Sequence, residues 1–359
     1  MEIIAFDKDK YAGYLRDESG LTGRADFIAF PRDGAELSEA LAFAAKNAVG
    51  ATVQGARTGL FGAAVPRGGL VISTEKLTRV YGACQGADGG YTLRVQSGVT
   101  LKEINDYLRG ERRLFGGERY AFAPNPTEAN ATVGGMLVRD AIGLNALRSG
   151  RFSEHVSSLT VVKGDGSTIG YATAKELLSD KRAGADRGEI FAVLDAELRL
   201  TKKDSVFWGV FYFFDGKKTA EEFIGGLLSR RAARGFLRDA LAALVWFDGE
   251  VLRRVSERRL ADSSLQGLPE FPADARAAVY AELSGDDGAA LESELCVHAE
   301  LFEKIGGADT WAETGEDEIQ KFRAVCHAAV EVAGRPKEND GDGSAYGYAD
   351  KDGNIVFPS

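Results

Sequence analysis

Apolar residues along the chain fall into short alternating or continuous runs bounded by Gly-, Pro- and Asp-containing turns, with stretches of helical period between several of them. Phe27 to Phe30 is apolar and stops at Pro31, and Asp33 followed three residues later by Glu36 opens a helix through Leu37, Leu41, Ala44 and Ala45. Residues 51–54 predict a second strand, 55–69 a long glycine-rich loop, and 70–72 a third strand. Leu93 and Val95 alternate inside a strand over 91–96, and Thr100 with Glu103 caps a helix carrying Leu101, Ile104 and Leu108. A hairpin over 159–171 turns at Gly164-Asp165-Gly166, and 190–200 reads as a buried strand.

The pattern changes after the charged break Thr201-Lys202-Lys203-Asp204, which predicts a domain boundary near 202. Beyond it come an aromatic strand over 206–214, a helix near 219–229 and strands around 243–247 and 277–283. An acidic helix over 289–305, a strand at 308–312 and a helix over 318–330 follow. Strands and helices in that order predict an α+β layer of ferredoxin-like character over 203–333. Residues 334–359 have little apolar period and read as an irregular tail or an edge extension.

Composition narrows the class. The 359 residues are 44% hydrophobic and 27% charged, a soluble globular balance, and 44 glycines belong to loops because they show no fixed period. A net charge of -10 disfavours a phosphate-backbone binder, so nucleic acid is not expected as a partner. The N-terminus lacks the basic start and apolar stretch of a signal peptide, and no run is long enough to span a membrane, so the expected location is cytoplasmic. Cys84, Cys296 and Cys326 form no pairing or zinc spacing, and no metal site is expected.

Two stretches carry chemistry. Gln54-Gly55-Ala56-Arg57-Thr58-Gly59-Leu60, continuing through Gly62 to Gly69, follows a strand and offers consecutive backbone N–H groups to an anion. It is neither a Walker loop nor GxGxxG. Pro124-Asn125-Pro126-Thr127 leads into Thr132-Val133-Gly134-Gly135, where two prolines fix an extended entry and hydroxyls and bare backbone face a ligand. These stretches, with the Ser97-Gly98-Val99-Thr100 turn and the Val161 to Gly166 hairpin, resemble in order the FAD-binding domain of PCMH-type, vanillyl-alcohol-oxidase-like flavoproteins, in the branch of glycolate oxidase and D-lactate dehydrogenase.

The resemblance implies a PCMH-type FAD-binding domain of two α+β subdomains over 1–202, followed by a shortened cap domain over 203–333. It implies FAD contacts from Gln54, Gly55, Ala56, Arg57, Thr58, Gly59 and Leu60, and from Pro124, Thr127, Thr132, Gly134 and Gly135. No His lies in the first loop, where this superfamily commonly attaches flavin, so FAD is expected to be noncovalent. The chain departs from the family at Ala185 to Glu189, at Asp140 and at Ser149, departures that bear on affinity.

Oxidation of a 2-hydroxy acid needs a cation for the carboxylate and a base for the hydroxyl proton, with the flavin taking the hydride. The resemblance places the cation on the helix Phe322-Arg323-Ala324-Val325-Cys326-His327, where Arg323 and His327 share a face, and a Lys further on at Lys337. The expectation is an FAD-linked oxidoreductase acting on D-lactate or glycolate and passing electrons to a separate acceptor protein. The alternative is a non-catalytic FAD-binding subunit of a larger oxidoreductase complex.

Overall fold

The computed structural model describes residues 1–111, 115–124, 126–180, 190–233, 240–259, 261–333 and 346–356. The chain divides into two compact units. The first comprises Met1–Ala141 and Arg151–Lys203, and the second Ile142–Gly150 with the residues from Asp204 onward. The segment Ile142–Gly150 makes this division discontinuous in sequence, for a packing reason. Ile142, Leu144 and Ala146 belong to one core of the second unit and Leu147 to its other core. Arg148 pairs with Asp204 at 2.8 Å, and Arg231 donates to the Leu147 carbonyl at 2.6 Å.

Two sheets build the first unit. In one, β1 (Ile4–Ala5), β2 (Phe27–Ala29), β4 (Leu70–Ser73) and β3 (Ala51–Gln54) lie side by side in that order, with β2, β4 and β3 parallel. A parallel pairing requires a crossover, here the helix Gly34–Lys46, whose N-terminus is capped by Asp33 accepting from the Glu36 N–H. That helix buries Leu37, Ala40, Leu41 and Ala44 with Leu70 and Ile72.

The other sheet is antiparallel, in the order β5 (Val80–Gln85), β6 (Tyr91–Gln96), β10 (Phe191–Lys202), β8 (Val156–Lys163), β9 (Thr168–Tyr171), with β7 (Tyr120–Ala121) beside β10. Its core takes Leu93, Val95, Val161 and Leu198 against Leu101, Ile104 and Leu108 of the helix Leu101–Gly110. Thr100 and Glu103 complete the capping box expected from sequence. Strand β10 continues through Thr201 and Lys202 because β7 supplies it with a partner there.

The second unit is one antiparallel sheet in the order β14 (Asp309–Thr314), β11 (Val206–Phe214), β13 (Ala277–Gly285), β12 (Leu241–Asp248), β15 (Tyr346–Ala349), β16 (Ile355–Val356). Its first four members, numbered in chain order, run 4-1-3-2, and the helices Lys217–Ala233 and Gly288–Ile305 connect them in a β-α-β-β-α-β ferredoxin-like arrangement. Both connecting helices cover the face carrying Val210, Tyr212 and Phe214. The helices Gly249–Arg259 and Glu316–Ala333 cover the opposite face, which carries Phe211 and Phe213. Burial on both faces is why β11 reads as an almost unbroken apolar run. From Tyr346 the tail is an edge extension: β15 pairs with β12 and buries Tyr348, while the preceding residues 334–345 lie outside the described set.

Phe211 is fully buried, its ring 5.0 Å from Tyr280, 5.1 Å from Phe322 and 5.6 Å from Phe247. Phe211→Ala is expected to lower unfolding free energy by about 3–5 kcal/mol, read as a shifted denaturant midpoint, with Phe211→Leu recovering part of the loss.

Candidate FAD site in the first unit

The two stretches singled out from sequence meet. Gly55 follows β3, and Thr132 caps the helix Val133–Val138 by accepting from the Gly135 N–H. A Cβ placed on Gly55 would lie 2.1 Å from the Thr132 hydroxyl oxygen, so the absence of a side chain at 55 is what allows the approach. Thr132 is held in turn by the Ser97–Thr100 turn. The Val133 N–H donates to the Val99 carbonyl at 2.9 Å and the Gly134 N–H to the Ser97 carbonyl at 2.8 Å. A Cβ on Gly134 would sit 3.0 Å from that of Ser97, so Gly134 serves close packing and its N–H is already engaged.

The first loop differs. Among the described residues, the backbone N–H groups of Gly55, Ala56, Arg57, Thr58 and Gly59 donate to no protein group. Arg57 adopts a left-handed φ of 63°, the turn of backbone that aims successive amides inward in anion-binding nests. Its guanidinium lies 4.4 Å from the Tyr14 ring centroid. Leu60 lies in the same loop, and Gly59 is exposed while Ala56 and Thr58 are half-buried.

Gln54 is wholly buried. Its side-chain nitrogen donates to the carbonyls of Tyr14 at 2.8 Å and Ala64 at 2.6 Å, while its carbonyl oxygen accepts nothing among the described residues. The hydroxyl of Ser97, 1% exposed, likewise has no partner. Unsatisfied buried polar atoms cost free energy, of order 1–3 kcal/mol each. Gln54 adjoins the row of unpartnered amides, and an orphaned buried acceptor there suits a polar ligand. The chemistry of these groups would suit a dinucleotide: the amides and Arg57 would meet phosphate charge, and the Gln54 oxygen and Ser97 hydroxyl would meet hydroxyl or amide donors.

Pro124 is buried and Thr127 half-buried in the entry to the second stretch, and Asn125 lies outside the described residues. Asp140 has φ 46°, a left-handed conformation that Asp and Asn tolerate best, and its carboxylate accepts from the Ser153 N–H at 2.9 Å. The Asp at this position therefore serves the turn. The departure at Ala185 to Glu189 lies outside the described residues.

Sequence reasoning missed Ser97 as a site residue although its turn was recognised, because its burial against Gly134 has no sequence signature. It also missed Tyr14, whose phenol donates to Glu75 at 2.6 Å and whose pKa is pushed up to about 12 by burial and by that carboxylate, and the buried carboxylate Asp17.

The residues expected to meet a substrate belong to the second unit. Arg323 donates to both carboxylate oxygens of Glu282, at 2.9 Å from Nε to Oε2, and Glu282 is 1% exposed and accepts from Tyr280 at 3.0 Å. Burial alone would lower the Arg323 pKa, but the adjacent Glu282 charge and hydrogen bonds outweigh it and raise the value above the ordinary one. His327 stands 3.8 Å from Glu331, which also pairs with Arg258 at 2.6 Å. Lys337 lies outside the described residues. Among the described residues no cluster of His, Cys, Asp and Glu could hold a metal ion, and no helix is long and apolar enough to cross a membrane.

The chain is 36% identical over 142 residues to D-lactate dehydrogenase of Archaeoglobus fulgidus, covering 39% of this chain and 29% of that protein. It is 30% identical over 185 residues to D-2-hydroxyglutarate dehydrogenase of Xanthomonas citri pv. viticola, covering 48% and 36%. The matches thus span about a third of the curated relatives' length. Among solved structures, chitooligosaccharide oxidase superposes with a TM-score of 0.62 at 16% identity, over 91% of this chain and 61% of that one. Alkyldihydroxyacetonephosphate synthase gives 0.62 at 13%, over 86% and 57%. At such identities the likeness is one of fold. Residues 25–170 match the family described as FAD binding domain.

Proposed function

We propose that the protein is an FAD-dependent oxidoreductase of the D-2-hydroxy acid dehydrogenase kind, oxidising a small D-lactate- or glycolate-type substrate. The observation that carries the reading is the meeting of Gly55 with Thr132 at the start of a run of five unpartnered amides, in a chain whose relatives are named D-lactate and D-2-hydroxyglutarate dehydrogenases. FAD, when bound, supplies a flavin ring that accepts hydride from the carbon bearing the hydroxyl and passes electrons on to a separate acceptor. The chain's own part in the first unit is to neutralise the pyrophosphate with Gly55 to Gly59 amides and Arg57, and to seat the rest of the cofactor along Pro124, Thr127, Thr132, Gly134 and Gly135. With no His in the Gln54 to Gly69 loop, the cofactor is held without a covalent bond. In the second unit Arg323 is the candidate cation for the substrate carboxylate, with His327 and Lys337 as the groups nearest to it in sequence that could handle a proton.

The Arg323 pairing favours a second reading. A guanidinium whose fork is already engaged by the buried carboxylate Glu282 has less charge to offer a substrate. This supports a flavin-binding subunit that works within a larger oxidoreductase complex.

Purified protein incubated with FAD is expected to show oxidised-flavin absorbance, and Gly55→Val to lose it while retaining the wild-type circular dichroism spectrum. Colourless wild-type protein would remove both readings. Arg323→Met leaves Glu282 buried and unpaired and is expected to cost about 3–5 kcal/mol in denaturant unfolding, most of it recovered in Arg323→Met/Glu282→Gln. Flavin bleaching by D-lactate or glycolate that disappears in the double variant supports the catalytic reading. Flavin that stays oxidised in wild type with every 2-hydroxy acid supports the subunit reading.

A further inference from the structure

The matched domain begins at residue 25, yet the loop that offers its amides to the cofactor is fastened by residues that precede it. Between Lys8 and Arg24 the chain forms a short helix, a 3-10 turn and a tight reversal closed by the Arg16 to Thr22 bridge. This segment touches the Gln54 to Gly68 loop at its start, middle and end. At the start, the Tyr14 carbonyl accepts from the Gln54 side chain, whose same nitrogen also reaches the Ala64 carbonyl and ties the two ends of the loop together. In the middle, the Tyr14 ring lies under Arg57, the residue with left-handed backbone. At the end, the Ala64 N–H donates to the Asp17 carboxylate at 3.3 Å. The Arg24 N–H donates to the Pro66 carbonyl at 2.9 Å, and the Gly68 N–H returns to the Arg24 carbonyl at 2.7 Å.

Asp17 is 6% exposed, and its other oxygen accepts from the Ser19 N–H at 3.0 Å, so the carboxylate is locked to its own turn while it grips the loop. Tyr14 is fixed from behind by Phe30, 5.5 Å between ring centroids, and through its hydroxyl by Glu75, which also accepts from Ser73 at 3.1 Å. These contacts leave the amides of Gly55 to Gly59 without a protein acceptor.

We propose that residues 8–24 are a clamp that holds the Gln54 to Gly68 loop in its anion-receptive conformation, with Tyr14 and Asp17 as positioning residues for the FAD pyrophosphate. The inference rests on the reading of the first unit as an FAD-binding domain. A loop with five unpaired amides gains nothing internally from staying open, and a flexible one would have to be ordered at the moment of binding, at the expense of affinity. The clamp moves that ordering into folding.

The test measures FAD dissociation constants by quenching of flavin fluorescence in the full-length protein. Asp17→Ala and Tyr14→Ala are expected to weaken FAD about tenfold. Asp17→Asn keeps one of the two acceptor oxygens that the Ala64 and Ser19 amides use and is expected to recover part of the loss, and Tyr14→Phe keeps the ring under Arg57 and is expected to bind within about twofold of wild type, a rescue that general loss of structure would not produce. Hydrogen exchange at the Ala64 amide is expected to quicken in Asp17→Ala and to quicken less in Asp17→Asn. If the alanine variants do not fold, Tyr14→Leu, which keeps apolar contact with Phe30 while removing the ring, carries the same expectation. Alanine variants that bind FAD as tightly as wild type, or Asn and Phe variants as impaired as the alanine ones, overturn the clamp. Gly55→Val serves as the reference. Loss of FAD there with full retention in the clamp variants refutes the clamp alone, whereas wild type that never takes up FAD refutes the underlying reading and the clamp with it.

Discussion

The approach of Gly55 to Thr132 sets the geometry of the first unit. Residues 77 apart in sequence come within a distance that even a methyl group at 55 would prohibit. The parallel pairing of β3 with β4 delivers the first of them, and the capped turn Ser97–Thr100 delivers the second by hydrogen bonding to Val133 and Gly134. One sheet is mostly parallel and the other antiparallel, and this contact is where their loops join. Had residue 55 carried a side chain, it would collide with the Thr132 hydroxyl and the two stretches would stand apart.

Electrostatics follow from that constraint. A chain with net charge -10 has no general attraction for a pyrophosphate, and Arg57 and Arg67 are the two cations on the Gln54 to Gly69 loop. Backbone dipoles are the alternative, because amides add positive potential without adding a residue that must itself be solvated. The second unit solves the opposite problem. There a guanidinium and a carboxylate are buried together, and each justifies the other, since either alone would carry a large desolvation penalty.

Much of this was legible in the sequence where the signal is local. The Asp33 and Thr100 caps, the β11 run and the glycine-rich loop announce themselves through residue types at fixed spacing. The order of strands in the second unit follows from the alternation of strand and helix patterns. What stayed hidden was set by partners distant in sequence. Glu282 reads as one polar residue in an apolar strand, and nothing near it indicates that Arg323 on a later helix completes its charge. Tyr14 and Asp17 sit in a segment of weak period, and only the fold brings them to Gln54, Arg57 and Ala64. β15 lies in a stretch whose few apolar residues gain a role when β12 offers an open edge.

The nine residues from Ile142 to Gly150 impose an order on synthesis. They emerge from the ribosome well before the strands that receive them, since Leu147 packs with residues of β11, β12 and β13, all of which lie beyond position 205. Until those strands are made, Ile142, Leu144 and Leu147 have no core to enter and remain in water as a sticky internal loop. Maturation of the N-terminal half is therefore tied to completion of the C-terminal half. A nascent chain paused near residue 203 would be a substrate for chaperones even if both of its own sheets had already closed.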